Sequence, residues 1–116
     1  MYDLQKKVKD MNIKKELNLF LILLSNAQYY QAHDVLEQLW IKLKKENDPL
    51  TNLIKGMINA AVAFEHIKRA SPTSFIKAQK TFFGFIKYKN EYKYLDNEFK
   101  TVCTAIEKKA KEMNLL

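Results

Sequence analysis

"PLTNLIKGMINAAVAFEHIKR", residues 49–69, decides the fold. Asp48 followed by Pro49 makes an N-cap and first-turn pair: a short side-chain acceptor for orphan N–H groups, then a residue with no N–H to lose. Beyond it Leu53, Met57, Ala60, Phe64 and Ile67 recur at threes and fours, with Ile54, Ile58 and Ala61 alongside. A helix apolar over so much of its circumference is packed on several sides, so this segment reads as the central element. Gly56, Ala60 and Ala63 add a strip of small residues at spacings of four and three. Such a strip lets a neighbouring backbone come close, partly offsetting the cost of about 1 kcal/mol for glycine inside a helix.

Working outward, residues 30–45 repeat Ala32, Val35, Leu36, Leu39 and Leu43 as an inner face, and "END" (46–48) ends that helix. Upstream, Leu4, Val8 and Met11 form one stripe; the phase then slips to Ile13, Leu17, Phe20, Leu21 and Leu24, which predicts a bend or break near Asn12. "SNAQ" (25–28) closes the region, since Ser and Asn favour caps and turns. Downstream, Ser71-Pro72 repeats the cap-plus-proline signal. A fourth helix follows, expected to turn Phe75, Ile76, Phe82, Phe83 and Ile86 inward and Phe85 outward. "KYKNEYKY" (87–94) reads as a turn, and a last helix over about 95–113 carries Leu95, Phe99, Val102, Ile106, Ala110 and Met113. The expected fold is all-α: one domain, residues 1–116, forming a compact antiparallel-type bundle of about five helices joined by short turns.

Composition bounds the rest. A chain of 116 residues with 47% apolar content can bury a core without disulfides or a structural metal. Its one cysteine, Cys103, has no intramolecular partner and lies between Val102 and Ile106 on a helical pattern, where a small buried or boundary residue is expected. The most apolar run, "LNLFLILL" (17–24), is interrupted by Asn18 and too short to span a bilayer, so a cytoplasmic protein without membrane contact is the default expectation. The net charge of +7 favours weak contact with polyanions. Yet Arg69 is the only arginine, and the lysines are spread along every segment beside acidic residues. Sequence readers of nucleic acid use arginine forks and clustered stripes, so no specific nucleic-acid partner is expected. Tyrosines and lysines in "KYKNEYKYL" (87–95) could stack on bases and meet phosphates, but a solvated turn is the preferred reading.

The chemistry-bearing residues fall on two helices. At 100° per residue, His33, Glu37 and Trp40 share one shoulder of the second helix. Asp34 should point nearly opposite, so the adjacent His-Asp pair is not expected to act as a unit. On the third helix Asn59 and His66 are seven apart, hence on one stripe beside Ala63. If the two helices pair antiparallel, their shoulders meet, forming a pocket of His33, Glu37, Asn59 and His66 with Trp40 as its wall.

"YYQAHDVLEQLW" (29–40) followed by "LIKGMINAAVAFEHIKR" (53–69) resembles the family of small bacterial and archaeal helical proteins catalogued as domain of unknown function 309. The family's signature is a Tyr/Phe-x-Glu-Ala-His-Glu-x-x-Glu-x-x-Trp helix, then a helix with glycine, an amide, alanines and a histidine near a basic pair. Tyr30, Ala32, His33, Glu37 and Trp40 match, then Gly56, Asn59, Ala60, Ala63, His66 and Arg69. With the following helix, the resemblance covers about residues 17–90. Gln31, Asp34 and Asn59 depart from the usual acidic residue, glutamate and glutamine, and Ala70-Ser71 stand where Gly-Asn is usual. The resemblance implies a helical bundle and carries no established activity. A fainter likeness, through "AQYYQAHDVLEQL" (27–39), is to one tetratricopeptide unit, but such folds stack several copies and only one is visible.

Four readings of the cluster compete. His33, Glu37 and His66 could hold a divalent metal with a position left for water, giving a hydrolase with Asn59 assisting orientation. Without metal, Glu37 could orient a histidine for acid–base work, though no motif places a nucleophile beside it. The groups could serve packing alone, as a hydrogen-bonded network that fixes the register of two helices. Or they could recognise a small ligand or a protein partner. The preferred reading is a non-catalytic binding module with no assigned cofactor, a possible divalent metal aside, and with homo-oligomerisation left open.

Overall fold

Three of the helices stop in the same way, and the stops set the layout. The computed structural model describes residues 2–89 and 97–116, with side chains from Ile13 onward. It has five helices: α1 (Tyr2–Ser25), α2 (Tyr29–Lys45), α3 (Thr51–Arg69), α4 (Ser74–Tyr88) and α5 (Asn97–Glu112), with no strand among the described residues. After α1, Ala27 turns left-handed (φ 58°) and the Gln28 N–H reaches back to the Leu23 carbonyl at 2.9 Å. Asn47 and Asp48 do the same after α2, and Asn114 and Leu115 after α5. Each pair is a Schellman closure, a left-handed residue whose successor caps a carbonyl five positions back.

The starts follow the expected chemistry with small shifts. The Asp48 carboxylate accepts from the Leu50 N–H at 2.9 Å, and its carbonyl accepts from the Thr51 hydroxyl at 2.7 Å. The Ser71 N–H donates to the Ser74 hydroxyl at 2.8 Å, while the Ser74 N–H returns to the Ser71 carbonyl. Pro72 thus lies within the turn and α4 begins two residues later.

The short turns after α1, α2 and α3 make each of these helices a neighbour of the next, whereas α5 packs on α1 and α3. α3 is the hub. It packs most extensively on α4, then on α2, and also meets α5, which bridges to α1; α1 lies against α2. Nine α3 residues are buried, among them the small strip Gly56, Ala60 and Ala63. α2 and α5 bury the expected stripes, although Val35 and Met113 are only half-buried and Leu95 lies outside the described residues. No described helix is long and apolar enough to cross a membrane.

Two expectations are corrected. α1 is one continuous helix through Asn12; the phase slip there produces no break. The side chains of Leu4, Val8 and Met11 lie outside the described set, as does most of the expected turn at 87–94, whose first residues extend α4. α4 is rotated from the expected face. It buries Ser74, Ala78, Phe82 and Phe85, whereas Phe75, Ile76 and Phe83 are exposed. Close packing accompanies the rotation: a Cβ added at Gly84 would overlap the Asn59 amide nitrogen, so α4 needs a glycine where it meets that side chain of α3.

Candidate functional site

The first turns of α2 meet the last turns of α3, and between them lies a pocket of about 180 Å³. Tyr29, Tyr30 and His33 line it from α2, and Val62, Glu65, His66 and Arg69 from α3. The α3 positions are i, i+3, i+4 and i+7, one continuous stripe of a helix. The opposite end of the pair shows the antiparallel arrangement directly: Trp40, late in α2, sits under Lys55, early in α3, at 4.5 Å. Both imidazoles therefore face one pocket, as the two-shoulder construction requires.

Tyr29 is the floor. It is only 3% exposed, and its ring stands edge-on to Phe64 with centroids 5.6 Å apart. Phe64 continues to Phe82 at 5.9 Å and Phe82 to Phe85 at 5.3 Å, an aromatic string through α3 into α4. The Lys68 ammonium donates to the Ala27 carbonyl at 2.9 Å, fastening the end of α3 to the turn just before Tyr29. The floor is thus held from below and from the side. Among the described residues, neither the Tyr29 hydroxyl nor the His66 ring has a hydrogen-bond or ion-pair partner. At the rim the Arg69 Nε lies 3.6 Å from a Glu65 carboxylate oxygen, one turn back along α3. The Tyr30 ring tilts against His33 at 6.0 Å.

His33 is engaged on both edges. Its Nδ1 lies 3.2 Å from Asp34 Oδ1 and its Nε2 lies 3.4 Å from Glu37 Oε2. The His-Asp pair is a unit after all: Asp34 is exposed, and its short side chain folds back along the helix surface to its neighbour. A neutral imidazole has one N–H and can donate to only one of these carboxylates; both bonds form together only when the ring is protonated. All three residues belong to α2, so these contacts do not fix one helix against another.

The same three residues are the described group whose donor atoms could hold a cation, all within 4.8 Å of one another. That set differs from the expected His33, Glu37 and His66: His66 stays with the pocket and Asp34 takes its place. The 3.4 Å between His33 Nε2 and Glu37 Oε2 suits two ligands about 2.1 Å from one ion in near-tetrahedral geometry. Asp34, however, sits at the other ring nitrogen, and the triad is open to water.

Two expected members lie elsewhere. Trp40 is two turns from His33 and does not line the pocket; its ring meets the ammonium groups of Lys44 (4.9 Å) and Lys55 (4.5 Å). Asn59 faces α4, against Gly84. The single five-residue cluster is therefore three separate arrangements. Sequence reasoning missed Tyr29, Val62 and Glu65, and it named Tyr30 and Arg69 only as matching positions. The available signal was helical spacing: Tyr29, Tyr30, Val62 and Arg69 lie three or four residues from one of the two histidines, and Glu65 lies three from Val62 and four from Arg69.

Cys103 is half-buried, with its thiol 3.8 Å from a Glu107 carboxylate oxygen. Burial, and then the adjacent negative charge, push the thiol up to about 11, so it stays neutral and poorly nucleophilic near neutral pH.

No curated protein and no solved structure matches the chain. Residues 17–78, just over half of it, match the family model described as a domain of unknown function (DUF309). This span holds both histidines and every residue lining the pocket, and the chain belongs to that family.

Proposed function

We propose that the chain is a non-catalytic binding protein whose α2–α3 pocket takes a small molecule. One observation carries this reading. Tyr29, almost wholly buried and wedged on Phe64, brings an unpartnered hydroxyl to a concave site that also holds an unpartnered imidazole. Among the described residues no buried side-chain polar atom lacks a partner, so these two groups meet solvent in the concavity, where a ligand would take the place of water. The pocket has room for about a dozen non-hydrogen atoms, a fragment-sized guest rather than a peptide. Proton-detected amide NMR with a library of uncharged and charged fragments tests it. Shifts should concentrate on residues 29–33 and 62–69 and disappear in Tyr29→Phe combined with His66→Ala while the amide spectrum stays dispersed. A library that leaves those residues unmoved ends the proposal.

A metal-dependent hydrolase remains the second reading, favoured by the His33, Asp34 and Glu37 grouping. Elemental analysis of untagged protein decides it. Near-stoichiometric metal that is lost in both His33→Ala and Glu37→Gln supports this reading, and metal-free protein with no response to added Zn²⁺ or Mn²⁺ removes it.

A further inference from the structure

We infer that the pocket selects a small carboxylate carried on a flat apolar body, an inference that rests on the α2–α3 pocket being a binding site. The groups facing the pocket sort by what they still have to offer. Glu65, the one carboxylate in the lining, already faces the Arg69 Nε at 3.6 Å. The guanidinium uses one edge for that contact, leaving its two terminal nitrogens, a fork that matches the two oxygens of a carboxylate. The Tyr29 hydroxyl and the His66 ring add two more unpartnered groups able to donate. The His33 ring nitrogens lie beside Asp34 and Glu37 of its own helix, so that edge is not counted among the donors free for a guest. The guanidinium donates only, and the hydroxyl and the ring can each donate as well as accept, a set that can hold an anionic head.

The body follows from the walls. Two tyrosines, His33 and Val62 line the half-open volume, and planar lining side chains favour a planar guest. The charge of the head follows from the cations available. Arg69 is the only permanently charged cation in the lining, and it is partly offset by Glu65. A phosphate monoester would bring a charge of about −1.5 to −2, more than this site balances, whereas a carboxylate brings one.

Four probes of similar shape test the assignment by NMR titration: benzoate, benzamide, benzamidine and phenyl phosphate. Benzoate should shift residues 29–33 and 62–69 and bind about tenfold more tightly than benzamide or benzamidine, as expected for a charge-assisted forked contact. Arg69→Gln should bring benzoate down to the level of benzamide and leave benzamide unchanged; a lysine in place of Arg69 should restore only part of the preference. Strongest binding by benzamidine or phenyl phosphate, or equal binding by benzoate and benzamide, overturns the carboxylate assignment and leaves the pocket standing. If none of the four binds while other fragments still shift the same residues, the carboxylate inference also fails and the pocket stands. If the whole library is silent there, the binding reading itself fails.

Discussion

α3 makes two contacts of opposite character within four turns. Towards α4 it is closely packed: Asn59 fills the space left by Gly84, and the Phe64, Phe82 and Phe85 rings follow one another at 5.9 and 5.3 Å. Towards the start of α2 it is open, and the surfaces part around a pocket lined by tyrosines, histidines and an arginine. Phe64 belongs to both sides, since the ring that continues to Phe82 also props Tyr29. The lesson is that rigidity and vacancy are coupled here. A well-filled core on one side of α3 holds the Tyr29 ring in place on the other, and the proposed ligand would meet a group already ordered.

The largest test of this coupling removes the shared ring. Phe64→Ala should cost about 3–5 kcal/mol in urea unfolding, the range for deleting a buried aromatic. Phe64→Leu should keep the fold at a smaller cost and still weaken fragment binding, because Tyr29 loses its edge contact. Unchanged binding in Phe64→Leu would separate the two sides and make the prop irrelevant.

A smaller effect probes the closely packed side alone. Gly84→Ala gains about 1 kcal/mol of helix propensity, but its new methyl meets the Asn59 side chain, an overpacking of about 1–3 kcal/mol. Net destabilisation is expected. Asn59→Ala in the same chain should return most of the loss, visible as a coupling term in a double-mutant cycle. Pocket binding should be indifferent to the rescued pair.

How much of this was legible in the sequence depends on what each helix spends its small residues on. α3 and α5 were legible because their apolar residues occupy a single stripe or nearly the whole surface, leaving one choice of core. α4 was misread because Phe75, Ile76, Phe82, Phe83, Phe85 and Ile86 spread over about half of the helix, and the contact stripe lies at one edge of that arc and not at its centre. The true contact stripe is Ser74, Ala78, Phe82 and Phe85, spaced four, four and three. It hides behind a serine and an alanine, whose small size is what α3 requires. The pocket was legible as a meeting of His33 with His66. Trp40 and Asn59 were assigned to it because spacing along a helix fixes direction, whereas membership in a pocket also depends on height along the axis. Asp34 was missed as a partner of His33 for the opposite reason: its backbone direction is right, but a short exposed side chain can turn.

A still smaller effect concerns the turn beyond the pocket. Ala70 ends α3 in the left-handed region (φ 53°), a conformation that costs an L-residue about 1–2 kcal/mol and glycine almost nothing. Ala70→Gly should stabilise the protein by about 0.5–1 kcal/mol in thermal or urea unfolding, the larger freedom of glycine in the unfolded chain taking back part of the gain. Destabilisation instead would show that the Ala70 methyl packs on something worth more than the relieved strain.

The smallest expected effect separates the His33 triad from the pocket beside it. Glu37 and Asp34 are well exposed, and both contacts stay within α2. Water screens such pairs, and ordering two side chains offsets much of the attraction, so Glu37→Gln should change stability by no more than about 0.5 kcal/mol. It should also leave benzoate binding intact, because Glu37 does not line the pocket. A loss on the scale of the Gly84 variant would mean that the triad holds α2 in place, and that the histidine on the open side is propped as firmly as the tyrosine beneath it.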